Sequence, residues 1–123
     1  MAYTLMIVDD EEDICSNYLA FFEDYSEFRA TAHSSGEEAL AALGELGCPD
    51  ACIVDIRLLG MRGDAFIVEA RKRCPDCRFV VSTGSLDASL SPEFRAAGLA
   101  EEDIFYKPAD MMKILSRIQQ LLE

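Results

Sequence analysis

The chain has 123 residues, 50% of them hydrophobic, and a formal charge of −12. That length leads us to expect one domain over residues 1–123, with a core large enough to fold without staples, and the apolar content excludes general disorder. The charge argues against direct nucleic-acid binding, because a phosphate backbone needs Lys and Arg to displace its counterions, and points instead to cations and basic protein surfaces.

Met1-Ala2-Tyr3 carries no basic residue, and the apolar run after it ends in consecutive acids from Asp9 to Asp13, so no secretory leader is expected. No segment approaches the length of a membrane span. Thr4 to Val8 reads as a first strand that stops at Asp9 and Asp10. Ile14, Tyr18, Phe21, Phe22 and Tyr25 then fall on one face of an amphipathic helix. Phe28 to His33 reads as a second strand, with His33 packed at the strand end or exposed there. Ser35-Gly36-Glu37-Glu38 predicts a capping box, Ser35 capping and Glu38 reaching back, and the helix it opens stops near Gly47-Cys48-Pro49.

Ala51 to Val54 is continuous and apolar, as a strand buried on both faces must be, and it ends at Asp55. A loop through Leu59-Gly60-Met61-Arg62-Gly63 leads to a helix from about Asp64 to Arg73, which Pro75 prevents from running on. Arg78 to Ser82 is the fourth strand and Thr83 follows it. Ser91-Pro92-Glu93 starts a short helix, with a capping serine and proline at the first helical position, and Ala96-Ala97-Gly98 ends it. Ile104 to Tyr106 is the fifth strand and runs into Lys107. Met111, Leu115, Ile118 and Leu122 give the last amphipathic helix. The alternation predicts an α/β fold of (βα)5 type, a doubly wound parallel five-stranded sheet with helices on both faces.

Asp9, Asp10, Asp55, Thr83 and Lys107 all lie at carboxyl ends of strands, where open parallel sheets bind ligands. Carboxylates gathered in one crevice repel, and a divalent cation removes that penalty. Oxygen-only ligands, with room for waters and a phosphate, select Mg²⁺. Acids also favour a helix amino-terminus, which accounts for Glu12 and Asp13 but not for Asp55 at the end of a buried strand. The five cysteines are an odd count spread over helix and strand patterns, an arrangement of reduced cytosolic thiols rather than a disulfide framework. Cys74-Pro75-Asp76-Cys77 follows a helix instead of opening one, so it reads as a turn with incidental cysteines. Zinc there would need two more ligands, and Cys48 sits on another connection.

Val8-Asp9-Asp10-Glu11, Val54-Asp55, Ser82-Thr83-Gly84 and Tyr106-Lys107-Pro108, in this order and spacing, resemble the receiver domain of two-component response regulators. The resemblance spans the whole chain and implies strand order 2-1-3-4-5. It implies Asp55 as phosphoacceptor from a sensor histidine kinase or phosphotransfer protein. Asp9 and Asp10 would hold Mg²⁺ together with Asp55 and the backbone carbonyl of Arg57, while Thr83 and Lys107 would hold phosphoryl oxygens. Gly84 would leave room for the phosphate, and the Lys107-Pro108 bond would be cis. A downstream effector protein or domain, a cytoplasmic location and no membrane partner follow from the same resemblance, which also allows a homodimer.

Such a domain switches partner binding and acts only on its own phosphoryl group, so it is not an enzyme. The alternative is a degenerate receiver serving as a phosphorylation-independent interaction module. A phosphatase that phosphorylates an aspartate would want a second acid where Arg57 stands. Two positions depart from the pattern. Leu58-Leu59 replaces Met-Pro after the acceptor, and Ile104 stands where the family has its switch aromatic. The expected output route is therefore the loop after Thr83 and the fourth helix, with Ile104 as passive packing.

Overall fold

The computed structural model describes residues 2–84 and 92–123, apart from the side chain of Glu93. Its elements are β1 (Tyr3–Val8), α1 (Glu12–Glu23), β2 (Phe28–His33), α2 (Gly36–Leu46), β3 (Ala51–Val54), α3 (Gly63–Arg73), β4 (Arg78–Thr83), α4 (Pro92–Ala96), β5 (Ile104–Tyr106) and α5 (Met111–Leu122). A 3-10 turn over Glu101–Asp103 precedes β5 and was not anticipated from the sequence. The five strands are parallel and ordered β2-β1-β3-β4-β5, as expected.

Strand alternation divides the interior in two. Met6, Val8, Cys52, Val54 and Val81 face α2, α3 and α4 in one core. Leu5, Ile7, Ala51, Ile53 and Val80 face α1 and α5 in the other. Every residue of β3 is buried, which is why its sequence carries no polar alternation. On α1 the predicted face holds: Tyr18 and Phe22 are buried, and Ile14, Phe21 and Tyr25 pack around them. Phe22 meets Phe21 and Phe28 edge-on, at centroid distances of 5.1 and 5.4 Å. Burying such a ring contributes roughly 2 kcal/mol or more.

Half of the predicted capping box forms. The Ser35 hydroxyl accepts the Glu38 N–H at 3.0 Å. The Glu38 carboxylate accepts instead from the Ser34 hydroxyl at 2.8 Å. Gly47 ends α2 at φ 86°, a conformation that glycine alone adopts without strain. The Asp110 carboxylate caps α5 by accepting the Met112 N–H at 2.9 Å. The Lys107-Pro108 bond is cis, as the resemblance implied.

The reading of the cysteines as five separate thiols is corrected at two positions. Cys48 and Cys74 form a disulfide. The two follow α2 and α3, which cover the same sheet face ahead of adjacent strands, so the connections after them meet. Cys15, Cys52 and Cys77 are thiols, and the Cys52 and Cys77 sulfurs lie 3.6 Å apart in the core.

Candidate functional site

Three backbone hydrogen bonds extend the sheet by one residue and bring the site together. The Asp9 N–H donates to the His33 carbonyl at 3.1 Å, the Asp55 N–H to Val8 at 2.9 Å, and the Lys107 N–H to Thr83 at 2.8 Å. Asp9, Asp55 and Lys107 therefore leave the sheet at its one carboxyl edge, Asp9 and Asp55 from the adjacent strands β1 and β3 and Lys107 from β5, beyond β4.

Asp9 and Asp55 are bound alike. Each carboxylate accepts from the amide two residues on: Asp9 Oδ1 from Glu11 at 2.9 Å, and Asp55 Oδ1 from Arg57 at 3.2 Å. Each offers its other oxygen to the Lys107 ammonium, Asp9 Oδ2 at 2.9 Å and Asp55 Oδ2 at 3.1 Å. Both carboxylates are almost fully buried, at 3% and 4% exposure, so the lysine neutralises charge that water does not reach. Burial pushes the Asp9 carboxyl above its ordinary value, and the Glu11 amide and Lys107 oppose the rise. Burial works against the Lys107 ammonium, but the hydrogen bonds to Asp9 and Asp55 prevail and raise its pKa above the ordinary value.

Asp10 is half-buried and Glu11 exposed beside this pair. Oxygens of Asp9, Asp10, Glu11 and Asp55 all lie within 4.8 Å of one another. Four hard carboxylate donors, two of them buried, fit a hard divalent cation such as Mg²⁺. Glu11 was not singled out in the sequence, although its carboxylate also approaches Lys107 at 3.7 Å. Thr83 is buried at the end of β4, and Arg57 is exposed with its amide on Asp55. A Cβ added at Gly84 would meet nothing within 4 Å.

Two supporting residues escaped the sequence reading. A Cβ at Gly63 would collide with the Asp55 carbonyl oxygen, so α3 can start against the acceptor only with glycine there. The Gly63 N–H also donates to the Ile56 carbonyl at 2.9 Å. On the other sheet face, the buried Tyr18 hydroxyl donates to Ser82 at 2.9 Å, next to Thr83. Neither has a sequence signal, because both depend on segments that only folding brings together.

Ile104 packs against the α2-α3-α4 core and Phe105 against the opposite one, as alternation predicted. Tyr106 is 47% exposed. In the loop after the acceptor Leu58 is buried, whereas Leu59 is 81% exposed. Ser85, the loop after Thr83 and the Ser91 cap lie outside the described residues.

The sheet order and this acid–lysine site define a receiver-type α/β signalling domain. Comparison with known proteins agrees, and the chain belongs to the response regulator receiver domain family, whose model matches residues 5–119. It is thus a phosphoacceptor domain of the two-component type. Response regulator SaeR of Staphylococcus aureus is 29% identical over 118 residues, which make up 96% of this chain and 50% of that protein. The chain thus spans about half the length of the curated relatives it matches. Among solved structures, a CheY-like receiver domain protein from Methanospirillum hungatei superposes with a TM-score of 0.86 at 24% identity, covering 99% of this chain and 94% of that one. Chemotaxis protein CheY4 of Vibrio cholerae gives 0.85 at 21% identity, over 99% and 100% of the two chains. At these identities the two likenesses speak for the fold alone. No helix among the described residues is long and apolar enough to cross a membrane.

Proposed function

We propose that Asp55 is the phosphoacceptor, with Asp9, Asp10, Asp55 and the Arg57 backbone carbonyl holding Mg²⁺, and with Thr83 and Lys107 receiving the phosphoryl oxygens. The observation that carries this reading is the Lys107 ammonium bridging Asp9 and Asp55 at 2.9 and 3.1 Å within a group of four carboxylates. In the transfer, an Asp55 carboxylate oxygen attacks phosphorus, the phosphorus–nitrogen bond of a phosphohistidine breaks, and the donor imidazole keeps the electron pair. The Arg57 amide holds Asp55 Oδ1, and Oδ2 faces Lys107. Phosphoryl transfer is mainly positioning and neutralisation of charge on the equatorial oxygens. Lys107 supplies a cation already in place, and the Thr83 hydroxyl can donate from the neighbouring strand end. Bound Mg²⁺ would supply the remaining positive charge.

The donor in this reading is a sensor histidine kinase or phosphotransfer protein in the cytoplasm, and the output is altered binding of an effector protein or domain. Residues 1–123 act as one domain that assists its own phosphorylation and dephosphorylation without an external substrate. Incubation with Mg²⁺ and acetyl phosphate, followed by intact mass, tests the assignment. We expect saturable, Mg²⁺-dependent phosphorylation that disappears in Asp55→Asn. Labelling that survives in the variant overturns the acceptor assignment, and no labelling of the wild type points to a degenerate interaction module. Multiple turnover of phosphomonoesters would instead indicate a phosphatase.

A further inference from the structure

At the edge of the sheet away from the acid–lysine site, four cysteines from three segments converge on the α2-α3 face. Cys48 is exposed just beyond α2, and Cys74 is buried as the residue that ends α3. Their disulfide closes a ring of chain with a sequence separation of 26. That ring contains β3, Asp55, the loop after it and all of α3.

The two helices are also tied at their other ends. The Glu37 carboxylate, in the first turn of α2, accepts the Met61 N–H at 3.2 Å. A Cβ on Gly36 would lie 3.3 Å from the Met61 side chain, so that side chain packs directly on the start of α2. Nearer the disulfide, the guanidinium of Arg73 at the end of α3 donates to the Leu40 carbonyl at 3.3 Å. The loop over Asp55 is thus held by weak polar contacts at one end of α2-α3, and a covalent bond fixes the other. A chain of this length buries enough surface to fold without staples, and most of the core that Cys74 joins is built of other side chains.

We propose that Cys48–Cys74 is a reversible redox site, opened by an external dithiol at the exposed residue Cys48, whose state sets how firmly α2 and α3 hold the loop over Asp55. In the opening step a thiolate of the dithiol attacks the Cys48 sulfur. The sulfur–sulfur bond breaks, a mixed disulfide forms on Cys48, and Cys74 leaves as a thiolate that takes a proton. The second thiol of the reductant then displaces Cys48, so the protein gains two thiols and the reductant becomes a disulfide. Exchange at Cys48 is favoured because Cys48 is an exposed residue and its partner Cys74 is buried. Cys52 and Cys77 take no part. Both are buried, and the neighbouring Cys77 thiol together with burial keeps Cys52 protonated.

The test compares protein oxidised with glutathione disulfide and the same protein treated with dithiothreitol under native conditions. After an acid quench, alkylation with iodoacetamide in denaturant and peptide mass should show Cys48 and Cys74 joined in the first and both alkylated in the second. Amides of residues 57–62 should exchange hydrogen several-fold faster after reduction, and the melting temperature should fall by roughly 10 °C. Cys48→Ser should match the reduced protein and ignore dithiothreitol. Should that variant not fold, the reduced wild type carries the comparison. Free alkylation of Cys48 in the oxidised protein, a disulfide that opens only on denaturation, or equal exchange at residues 57–62 in both states would each overturn the proposal. Acetyl-phosphate labelling of Asp55 in the two states should differ, and this readout alone rests on the phosphoacceptor reading. Alkylation and hydrogen exchange stand without it.

Discussion

Removing the Lys107 ammonium would leave two buried carboxylates facing each other with no cation between them. Breaking a buried pair in this way costs about 3 kcal/mol or more, so Lys107→Ala should melt well below the wild type at neutral pH. Asp9 already has a raised pKa, and a carboxyl that binds its proton more tightly when folded gives stability that is lost as pH rises through the folded value. The penalty of Lys107→Ala should therefore shrink in mild acid, which thermal melts across pH would show. Tyr18 gives a second case. Burial raises its pKa above 10.0, and the hydrogen bond to Ser82 only partly offsets the rise. Above the unfolded value the unfolded chain holds fewer protons than the folded one, so stability falls with rising pH until the folded pKa is passed. Tyr18→Phe should cost about 1 kcal/mol near neutrality and flatten that alkaline decline. Of these side chains, Asp9, Asp55 and Lys107 were legible because each ends an apolar run. Tyr18 looked like one more core aromatic, since nothing local betrays the use of its hydroxyl.

Among the elements, β3 and α3 show why the sequence revealed some features and hid others. Four apolar residues followed by an aspartate announced β3 and its role, because burial on both faces leaves only one residue pattern. The start of α3 carried no such pattern. Gly63 is required by the Asp55 carbonyl, an atom supplied by the preceding strand end, and no periodicity reports that. Gly63→Ala should cost about 1–3 kcal/mol through overpacking and slow acetyl-phosphate labelling by displacing Asp55. Wild-type labelling in a stably folded Gly63→Ala protein would refute that link. The turn before β5 was hidden for a similar reason. There the buried Asp103 carboxylate accepts from the Ala100 amide at 2.8 Å and from Arg117 on α5 at 2.6 Å. The pairing spans 14 residues of sequence and leaves no local trace.

For the molecule as a whole, a ligand that binds only the folded state raises its stability by mass action. Saturating Mg²⁺ should therefore raise the melting temperature, and a chelator should reverse the gain. Asp10 is half-buried and makes none of the lysine contacts, so Asp10→Asn should lose most of the Mg²⁺-dependent rise while melting much as the wild type does without metal. The order of the strands needed the family resemblance, because alternation of β and α predicts a doubly wound sheet without saying which strand lies beside which. The disulfide lay beyond both: it depends on two loops meeting across α2 and α3, and nothing local singles out Cys48 and Cys74 among the five cysteines.

The Lys107 amide is the last rung of the sheet on its carboxyl side, and the strand behind it is three residues long. Fraying begins at such short outer strands, where the least structure has to be given up. A modest loosening of β5 from β4 would carry the ammonium away from Asp55 while most of the sheet stayed paired. Gentle heating should thus inactivate phosphate uptake several degrees before circular dichroism registers any loss of helix.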